Sequence, residues 1–558
     1  MTEVRGRRVT SESFDAVVIG AGEAGAVVAS RAVAAGHRVA MIYRAPYGST
    51  CVSVGCVPSK FLIHRANIAN TLRTAGRFHV NGHGEPIVDL AAIVADKDAL
   101  VAEHRAEALG NARRASGLTP IEGEARFVSS REVLVGERRL TAERIVIATG
   151  MRPLIPDLPG IDEVDVHTNE TVMDLTEVPE HIVVLGGGYI GCELGQAFRR
   201  FGSGVTIVHG PELLCPNEEP DVSRLLARGL AADGIGLVTD HRAVRVERAG
   251  DGVRVIARAD DGSERTIEGS HLLVSIGRRP NTDALNPEAA GVATRSDGSI
   301  VVDDRLRTSA PGIWAVGDVN GEQPFTRVCQ EEAKVAYADA FEGSDLRIDR
   351  LSLGHGIFTD PEIGSVGMTE TAARAAGHDV AVGLVTYDKI EKAELIGAEL
   401  GLIKYVVERD SRRLLGCHVI GHQAADLVWS ASVVLRQRGT LDELAMAVGI
   451  FPTLAEGMEG TARGLLRRLA PDIAAGPLAV APATTGKEIA MGTNGSFTCP
   501  ACGAEFDVQE RLDEQREAEA ERVALAEAPA PAPEPVSFQC PGCGADYETQ
   551  EQLVEIER

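Results

Sequence analysis

The stretch STCVSVGCVPSK (Ser49–Lys60) decides how the rest of the chain is interpreted. Its two cysteines are separated by four residues, and the apolar run after Pro58 predicts a helix. Residues five apart in a continuous helix diverge too far for a disulfide, so Gly55 predicts a turn that folds Cys51 back over Cys56. Pro58 suits a first helical position, and a helix N-terminus lowers the pKa of a nearby thiol. We interpret the pair as a redox-active dithiol; the alternative is two buried cysteines that happen to be close.

Length and charge narrow the class of protein. The 558 residues allow roughly three or four domains. A net charge of −25 argues against a nucleic-acid surface. No early apolar segment resembles a signal peptide, and no apolar run reaches the ~18 residues of a membrane span, so we expect a cytoplasmic protein that does not enter a membrane.

The ten cysteines fall into three close pairs and four singles. This distribution predicts redox and metal chemistry in a reducing compartment rather than a secreted disulfide framework. The singles are expected to be small core residues: Cys192, Cys215, Cys329 and Cys417.

The region before the dithiol predicts a dinucleotide-binding unit. The apolar strand Asp15–Ile19 leads into GAGEAG, a helix and a second strand, Arg38–Tyr43. This order is the context that a GxGxxG motif requires, because the glycines let backbone amides approach a pyrophosphate at a helix N-terminus. The motif glycines are Gly20, Gly22 and Gly25. Tyr43 stands where an acidic residue usually binds the adenosine ribose.

A second dinucleotide unit follows. The strand Ile182–Leu185 leads into GGGYIG, a helix through Phe201 and a strand Val205–Val208. The motif glycines are Gly186, Gly188 and Gly191. His209 takes the place of the acidic ribose residue, which leaves the choice between NADH and NADPH open.

The remaining segments are simpler. A helical region is predicted from Leu62 to about Ser116, then strands that include Ile145–Gly150, and Gly312–Asp318 predicts a strand and a turn that presents a carboxylate. From about Leu351 the pattern predicts a separate α+β domain with strands at 402–407 and 414–420 and helices at 424–438 and 441–448. Residues 471–495 are rich in Ala, Pro, Gly and Thr and predict a linker.

Taken in this order, the motifs resemble those of the class I pyridine nucleotide-disulfide oxidoreductases, a family that includes mercuric reductase and dihydrolipoyl dehydrogenase. Further matching blocks are Gly277–Asn281, Phe358–Glu362 and Pro452–Glu456. The redox motif is most similar to that of mercuric reductases. The resemblance implies an α/β fold with two Rossmann-like domains, for FAD and NAD(P), and an α+β dimerisation domain.

The expected domain organisation follows from this resemblance. We expect an N-terminal arm at 1–13, an FAD-binding domain at 14–160 and 300–350, an NAD(P)-binding domain at 161–299, a dimerisation domain at 351–469, a linker at 470–495 and a zinc-ribbon-like tail at 496–558.

The resemblance also implies residue roles. Cys56 would be the charge-transfer thiol against the flavin, and Cys51 the interchange thiol that faces the substrate. Lys60 would pair with Glu193 near the flavin, and Tyr189 would gate the nicotinamide site. The cofactor-binding residues implied are Gly20, Gly22, Gly25, Thr50, Lys60, Ala125, Thr149, Gly150, Gly186, Gly188, Gly191, Gly277 and Asp318. Taken singly, Lys60 could be solvated, Tyr189 a core residue and Asp318 a turn former.

One position departs from the disulfide-reducing members. They carry a His before Pro-Thr, supplied by the partner subunit and oriented by a downstream Glu, whereas this chain has Phe451 there and keeps Glu456. Reduction of an organic disulfide needs an acid–base group, which typically contributes about 10²- to 10⁴-fold. A soft metal ion such as Hg²⁺ binds thiolates directly and needs no such group, so the change favours a metal or another electrophile as acceptor.

A second departure concerns metal delivery. Mercuric reductases end in a vicinal cysteine pair, but here no cysteine lies between Cys417 and Cys499. We also expect no metal-binding domain of the kind that often precedes such enzymes.

The tail contains an internal repeat with two CPxCG knuckles. Such knuckles each present half of a tetrahedral zinc site. One zinc shared by all four thiolates is expected, bound by Cys499, Cys502, Cys540 and Cys543. A charged helix is predicted between them at 510–526. The alternatives are knuckles that pair between subunits, a flexible carrier of a soft metal, and a surface for a protein partner.

The sequence therefore predicts a homodimeric FAD enzyme that passes electrons from NADH or NADPH to the Cys51–Cys56 pair and then to a small acceptor. Mercuric-reductase-like chemistry is the first hypothesis, and a dihydrolipoyl dehydrogenase-like or other disulfide reductase is the second. The third is a degenerate flavoprotein whose zinc-bearing tail recruits partners as a scaffold.

Overall fold

The computed structural model describes residues 10–80 and 85–470, and in the tail the backbone of four short strands. The chain divides into two units, Met1–Pro471 and Asp472–Arg558. Each unit is described by itself.

The first third of the chain builds a parallel sheet. The strands of this segment, not all of which belong to that sheet, are β1 (Thr10–Ser13), β2 (Ala16–Ile19), β3 (Val39–Tyr43), β4 (Leu118–Glu122), β5 (Ala125–Ser129), β6 (Glu132–Val135), β7 (Arg138–Thr141), β8 (Arg144–Ile147) and β9 (Met151–Pro153). Its helices are α1 (Glu23–Ala34), α2 (Thr50–Val54), α3 (Cys56–Thr74) and α4 (Leu90–Arg114). The later strand Ile313–Ala315 pairs with β8, and β2, β3 and β4 follow in parallel register.

Side chains of β2 alternate between two cores. Ala16 and Val18 pack in one buried cluster, and Val17 and Ile19 pack in another on the opposite face. A parallel sheet covered on both faces requires such a continuous apolar strand. Strands β1, β7, β6 and β5 form a separate four-stranded sheet.

The second parallel sheet lies in the middle of the chain. Its segment contains β10 (Val166–His167), β11 (His181–Leu185), β12 (Gly204–Val208), β13 (Gly236–Val238), β14 (Arg242–Ala249), β15 (Gly252–Arg258), β16 (Glu264–Gly269), β17 (His271–Val274), β18 (Arg278–Pro280), α5 (Tyr189–Phe201) and α6 (Pro220–Ala232). The sheet order is β10-β17-β11-β12-β13, all parallel, and β14–β16 form an antiparallel meander. Strand β18 pairs with β9.

The last part of this unit first adds one strand to the first parallel sheet and then forms an α+β layer. It contains β19 (Ile313–Ala315), β20 (His355–Ile357), β21 (Glu362–Gly367), β22 (Val380–Thr386), β23 (Leu402–Glu408), β24 (Leu414–Gly421), α7 (Thr326–Glu342), α8 (Glu370–Ala375), α9 (Glu391–Leu395), α10 (Ala424–Arg436), α11 (Leu441–Met446) and α12 (Ala455–Leu469). The antiparallel sheet order is β20-β21-β24-β23-β22. Short 3-10 helices occur at Ala75–Phe78, Ile161–Glu163, Val172–Asp174, Pro287–Ala290, Asp318–Asn320, Arg350–Ser352 and Tyr387–Lys389.

A buried ion cluster connects this layer to the second parallel sheet. Lys404 on β23 is 2.9 Å from Glu219, 3.1 Å from Asp221 and 3.0 Å from Glu370. The acidic partners outnumber the base, and a buried ammonium needs such compensation. The cluster fixes the start of α6 against the antiparallel sheet.

The mixed α/β fold predicted from the sequence is confirmed, with differences at element ends. The helical region predicted from Leu62 is two helices, and the first begins at Cys56. Pro58 is therefore the third residue of α3 rather than the first, a position that still needs no backbone donor. The helix predicted at 441–448 ends at Met446. Within the two described ranges of this unit, no helix is long and apolar enough to cross a membrane.

The second unit contains two antiparallel hairpins. They are β25 (Ser496–Thr498) with β26 (Glu505–Asp507), and β27 (Ser537–Gln539) with β28 (Asp546–Glu548). Their matching register agrees with the sequence repeat. The four tail cysteines and the helix predicted at 510–526 lie outside the described residues.

Candidate functional site

A break between two helices places the dithiol. Cys51 lies in α2 and Cys56 begins α3, with Gly55 between them. A Cβ on Gly55 would lie 2.8 Å from the Thr50 carbonyl oxygen and 3.1 Å from Cys51 Cα. Only glycine allows this approach, so the predicted turn is present. Both cysteines are free thiols in the structure.

Cys56 is the more acidic of the two thiols. The pKa of Cys56 is lowered to about 6, although burial opposes this change. The largest contribution is a hydrogen bond from Cys51, followed by one from Thr326 and by the charge of Lys60. Thr326 Oγ1 is 3.5 Å from the sulfur. Cys56 also begins α3, a position that favours a thiolate.

Cys51 has the opposite character. Its hydrogen bond to Cys56, together with burial, raises its pKa far above the ordinary range of a thiol. In the reduced protein at neutral pH, Cys51 therefore keeps its proton while Cys56 is a thiolate. This division matches a charge-transfer thiol at Cys56 and an interchange thiol at Cys51.

Lys60 and Glu193 form the expected ion pair. Lys60 Nζ is 2.7 Å from Glu193 Oε2, and Oε1 of the same carboxylate accepts the backbone N–H of Phe358 at 2.8 Å. The ammonium also lies 4.7 Å from the centre of the Phe358 ring. The lysine is thus oriented from both sides while its side chain remains one-third exposed.

Tyr189 lies in an aromatic cluster that the sequence did not reveal. Its ring is 5.7 Å from Phe325 and 6.0 Å from His355, and the last two rings stack at 4.6 Å. The Tyr189 hydroxyl donates to Glu218 Oε1 at 3.1 Å, and His355 Nε2 is 2.7 Å from the same oxygen. Ser365 donates to the other oxygen at 2.6 Å. Glu218 is a buried carboxylate whose pKa is lowered by His355 and Ser365 against burial.

The first glycine motif leaves room for a dinucleotide. Gly20 has φ +119°, and a Cβ there would lie 2.1 Å from the Ala148 carbonyl oxygen, so the turn after β2 packs closely on the end of β8. A Cβ on Gly22 would contact nothing nearer than 3.9 Å, which leaves the N-terminus of α1 open for a phosphate. The Thr149 hydroxyl is buried and has no partner among the described residues, as expected of a group that binds a ligand. These features fit FAD.

The second glycine motif repeats this geometry. A Cβ on Gly186 would lie 2.5 Å from the Ser275 carbonyl oxygen, and one on Gly191 would lie 2.0 Å from that of Gly186. Gly188 has open space at the start of α5. His209 does not project as a ribose ligand, because its Nδ1 accepts the Gly187 N–H at 3.1 Å. Burial lowers its pKa, which agrees with a neutral ring.

Asp318 already has partners within the protein. Arg278 forms an ion pair with it, and the Cys329 thiol donates to it at 3.3 Å. The carboxylate therefore has an ordered orientation at the end of β19. Gly150 and Gly277 have positive φ with open space beside them, while Ala125 is buried on β5 and Thr50 begins α2 at the surface.

Phe451, which stands where disulfide-reducing members have a histidine, lies on an apolar surface. Its side chain is 66% exposed, next to Ile450 and Val448 in the segment after α11. Glu456 is near the start of α12, where burial and the neighbouring Glu391 and Glu459 raise its pKa.

No cluster of metal-ligating side chains occurs in the part of the chain whose side chains are described. The predicted zinc ligands Cys499, Cys502, Cys540 and Cys543 lie outside it. Four site residues escaped the sequence analysis: Phe325, Thr326, Glu218 and His355. None belongs to a motif with a chemical signature, although His355 stands three residues before a matched block.

Two family models match the chain. The model described as "Pyridine nucleotide-disulphide oxidoreductase" covers residues 14–340, and that of its dimerisation domain covers residues 355–462.

Individual proteins agree with this match. Mercuric reductase of Bacillus cereus is 36% identical over 80% of this chain and 70% of the relative. Mercuric reductase of Streptomyces lividans is 34% identical over 80% and 95%, and dihydrolipoyl dehydrogenase of Haloferax volcanii is 32% identical over 81% and 96%. Among solved structures, the Cu(II) complex of the HOCl-induced flavoprotein disulfide reductase RclA from Escherichia coli is similar, with a TM-score of 0.72, 29% identity and coverage of 81% and 99%.

Proposed function

Because this chain belongs to the pyridine nucleotide-disulphide oxidoreductase family, we propose that its Cys51–Cys56 pair passes two electrons from NADH or NADPH to a soft metal ion, with Hg²⁺ as the acceptor. The protein is an FAD-dependent oxidoreductase, as its family and its relatives establish. FAD and a nicotinamide nucleotide are the cofactors that the family uses.

One observation carries the choice of acceptor. Cys56 readily forms a thiolate, with a pKa of about 6, and Phe451 stands where disulfide-reducing members have a histidine. A metal ion needs two sulfur ligands and no proton donor, whereas a leaving organic thiolate must be protonated. The pair is therefore better suited to a metal than to a disulfide.

The reaction balances with the residues present. When bound, FAD would accept the electron pair of NAD(P)H. Cys56 offers a thiolate to the metal, and Cys51 releases its proton as its sulfur binds. Two electrons then reduce Hg²⁺ to Hg⁰, so that NAD(P)H and Hg²⁺ give NAD(P)⁺, H⁺ and Hg⁰.

Neighbouring residues hold this arrangement. Thr326 and Lys60 stabilise the thiolate of Cys56, and Glu193 orients Lys60. Gly20, Gly22, Gly25, Thr149, Gly150 and Asp318 would hold FAD. Tyr189 would close the nicotinamide site together with Phe325 and His355.

A homodimer is proposed from the dimerisation domain and its exposed apolar side chains. Trp429 is 71% exposed on α10, and Val448 and Ile450 lie uncovered near Phe451. A contiguous set of exposed apolar side chains, such as that at 448–451, marks an interaction surface. We propose the domain boundaries that were expected from the sequence. We also propose that the enzyme is cytoplasmic.

The tail is proposed to bind one zinc ion through its four cysteines. Its two hairpins and the repeated CPxCG knuckles support this proposal. Delivery of a soft metal by these thiolates is the alternative role.

A disulfide reductase is the second candidate, favoured by the dihydrolipoyl dehydrogenase relatives and by the flavoprotein disulfide reductase among the solved structures. A scaffold without activity is the third. The ordered dithiol and the Lys60–Glu193 pair argue against it, because a chain freed from catalysis has no need to preserve them.

An acceptor panel tests the proposal. Purified enzyme is assayed for NADH and NADPH oxidation with Hg²⁺, oxidised lipoamide and oxidised glutathione, beside a Cys51→Ser/Cys56→Ser variant. We expect the fastest turnover with Hg²⁺ and its loss in the variant. Faster turnover with lipoamide would refute the metal acceptor, and a purified protein without flavin absorbance would refute an FAD enzyme.

A further inference from the structure

The ring nitrogens of His209 are both engaged, so neither can bind a ribose hydroxyl. In a dinucleotide fold, the residue at the end of the second strand of the unit faces the adenosine ribose, and a carboxylate there binds the bare 2′-hydroxyl of NADH. His209 stands at this end, directly after β12. Its Nδ1 accepts the Gly187 N–H at 3.1 Å, and its Nε2 donates to the Leu213 carbonyl at 3.2 Å. Recognition of the ribose must therefore come from a neighbouring residue.

A later segment of the chain lies against the same strand end. The His209 N–H donates to the Val238 carbonyl at 2.8 Å, and the His241 N–H donates to the His209 carbonyl at 3.1 Å. These two main-chain bonds place Arg242, the first residue of β14, beside Gly210. A Cβ on Gly210 would lie 3.0 Å from Arg242 Nη1 and 3.1 Å from its Cγ. The arginine side chain thus extends along the main chain that follows His209.

Arg242 carries a positive charge that the protein does not neutralise. Its exposed guanidinium has no hydrogen bond and no ion-pair partner among the residues that the structure describes. Arg258 lies directly opposite on β15, and of the two arginines only Arg258 has a carboxylate partner, Glu264 at 2.7 Å. Like charges directly opposite each other in a sheet are unfavourable. The arrangement is therefore suited to an anionic ligand.

The acidic residues that flank this site in the chain do not occupy the guanidinium. Glu212 follows Gly210 by two residues and Asp240 precedes Arg242 by two, and both are exposed. Neither forms a hydrogen bond or an ion pair with Arg242. Because the chain has a net charge of −25, an anionic group is attracted only where the local charge is positive. Arg242 supplies such a charge at the end of β12.

We propose that Arg242 binds the 2′-phosphate of NADPH and is the residue by which the protein discriminates NADPH from NADH. This inference deepens the proposed function and rests on it, because it requires that the second glycine motif binds a nicotinamide nucleotide. An arginine near the end of the second strand can accommodate a 2′-phosphate. Its planar guanidinium donates two parallel hydrogen bonds to phosphate oxygens, which a single hydroxyl cannot accept.

Binding measurements on the full-length holoenzyme test this assignment. Adenosine 2′,5′-bisphosphate and adenosine 5′-monophosphate, which differ only in the 2′-phosphate, are titrated by isothermal calorimetry. NADP⁺ and NAD⁺ are titrated in the same way, since neither can reduce the flavin. We expect the 2′-phosphorylated member of each pair to bind more tightly. In Arg242→Gln, the ratio of the Kd for NAD⁺ to that for NADP⁺ should fall roughly 10- to 100-fold.

Two further variants separate a specific contact from a general effect of charge. Arg245→Gln is the matched control, because Arg245 lies on the same strand and forms an ion pair with Glu247 at 2.8 Å. This variant should leave the Kd ratio unchanged. Arg242→Lys keeps the charge but loses the paired hydrogen bonds, so its ratio should lie between those of the original protein and Arg242→Gln.

Salt provides an independent measurement. Added NaCl should weaken the binding of adenosine 2′,5′-bisphosphate more in the original protein than in Arg242→Gln, because screening acts on the contact between the phosphate and the guanidinium. An equal dependence on salt in the two proteins would count against that contact.

The outcomes distinguish this proposal from the proposed function. Equal affinity for NADP⁺ and NAD⁺ in the original protein, or an unchanged ratio in Arg242→Gln, would refute the role of Arg242. The same fall in Arg245→Gln would refute a specific contact. Failure of the holoenzyme to bind any of these nucleotides would refute the proposed function instead.

Discussion

Lys60 Nζ lies 2.7 Å from Glu193 Oε2, and this contact joins the helix that starts at the dithiol to the helix that starts at the second glycine motif. The carboxylate is buried and the ammonium is partly exposed. The ion pair therefore connects the dithiol to the second glycine motif, and both lie on the proposed path of the electrons. It also brings a positive charge close to Cys56.

Removal of that charge should make Cys56 less acidic. In Lys60→Met we expect the pKa of Cys56 to rise above about 6, with the larger contributions of Cys51 and Thr326 still in place. The ultraviolet absorbance of the thiolate, followed against pH in the reduced protein, measures the change. Lys389→Met at an exposed lysine is the control, and an unchanged pKa in Lys60→Met would contradict the prediction.

The Thr326 hydroxyl should act on the same sulfur through a hydrogen bond. Thr326→Val keeps the shape of the side chain and removes the bond of 3.5 Å, so the pKa of Cys56 should rise. Thr326→Ser keeps the hydroxyl and should preserve the original value. Equal titration of the two variants would show that the hydroxyl has no such effect.

Sequence analysis identified the parts of the site that lie in contiguous motifs. The strand before Gly20 and the turn at Gly55 follow from residue types at fixed spacing, whereas the Lys60–Glu193 pair was implied by the family resemblance. Thr326 meets Cys56 across 270 positions, and His355 meets Glu218 across 137. Such contacts are created by packing of whole domains, so no local pattern announces them.

Two expectations illustrate the same limit. The sequence places His209 where a residue would face the ribose, but its ring binds the backbone of its own motif. The helix start predicts an acidic Cys56, and the fold adds a hydrogen bond from Thr326 that lowers the pKa of this thiol as well. In both cases the contacts of the side chain became visible only in the fold.

Glu362 should make stability depend on pH. Burial, then the charge of Asp426, raises its pKa to about 7 from 4.5, so the folded state favours the protonated form. The stability that this group contributes is fully present below pH 4.5 and is lost as pH rises through about 7. Glu362→Gln should therefore gain stability relative to the original protein between pH 5 and pH 8, as measured by denaturant unfolding.

Glu370 provides the matched comparison. Its hydrogen bond with Lys404 lowers its pKa, so its contribution is present above pH 4.5 and is lost as pH falls. Glu370→Gln should lose stability relative to the original protein as pH rises. The same slope in both variants would contradict these assignments.

A histidine at position 451 should favour organic disulfides. Phe451→His supplies an acid–base group, and turnover with oxidised lipoamide should rise, by up to about 10²-fold. Steady-state NADH or NADPH oxidation measures the change. Phe451→Ala removes the ring without adding a proton donor and should show no gain; an equal gain there would indicate that only space was limiting.

Removal of the tail should remove the metal. A chain that ends at Gly495 lacks all four CPxCG cysteines, so elemental analysis should show about one zinc fewer per chain than in the full protein. Flavin content should stay the same and serves as the control. Equal zinc in both proteins would end the zinc proposal.

The redox centre depends on the absence of a side chain at Gly55. The neighbouring carbonyl and Cα leave space for a hydrogen atom and nothing larger. The separation of the sulfurs is thus dictated by the main chain, and no rearrangement of surrounding side chains can restore it once that hydrogen is replaced. Laboratory evolution of a new acceptor preference can therefore change side chains around the dithiol, provided that this one position is held constant.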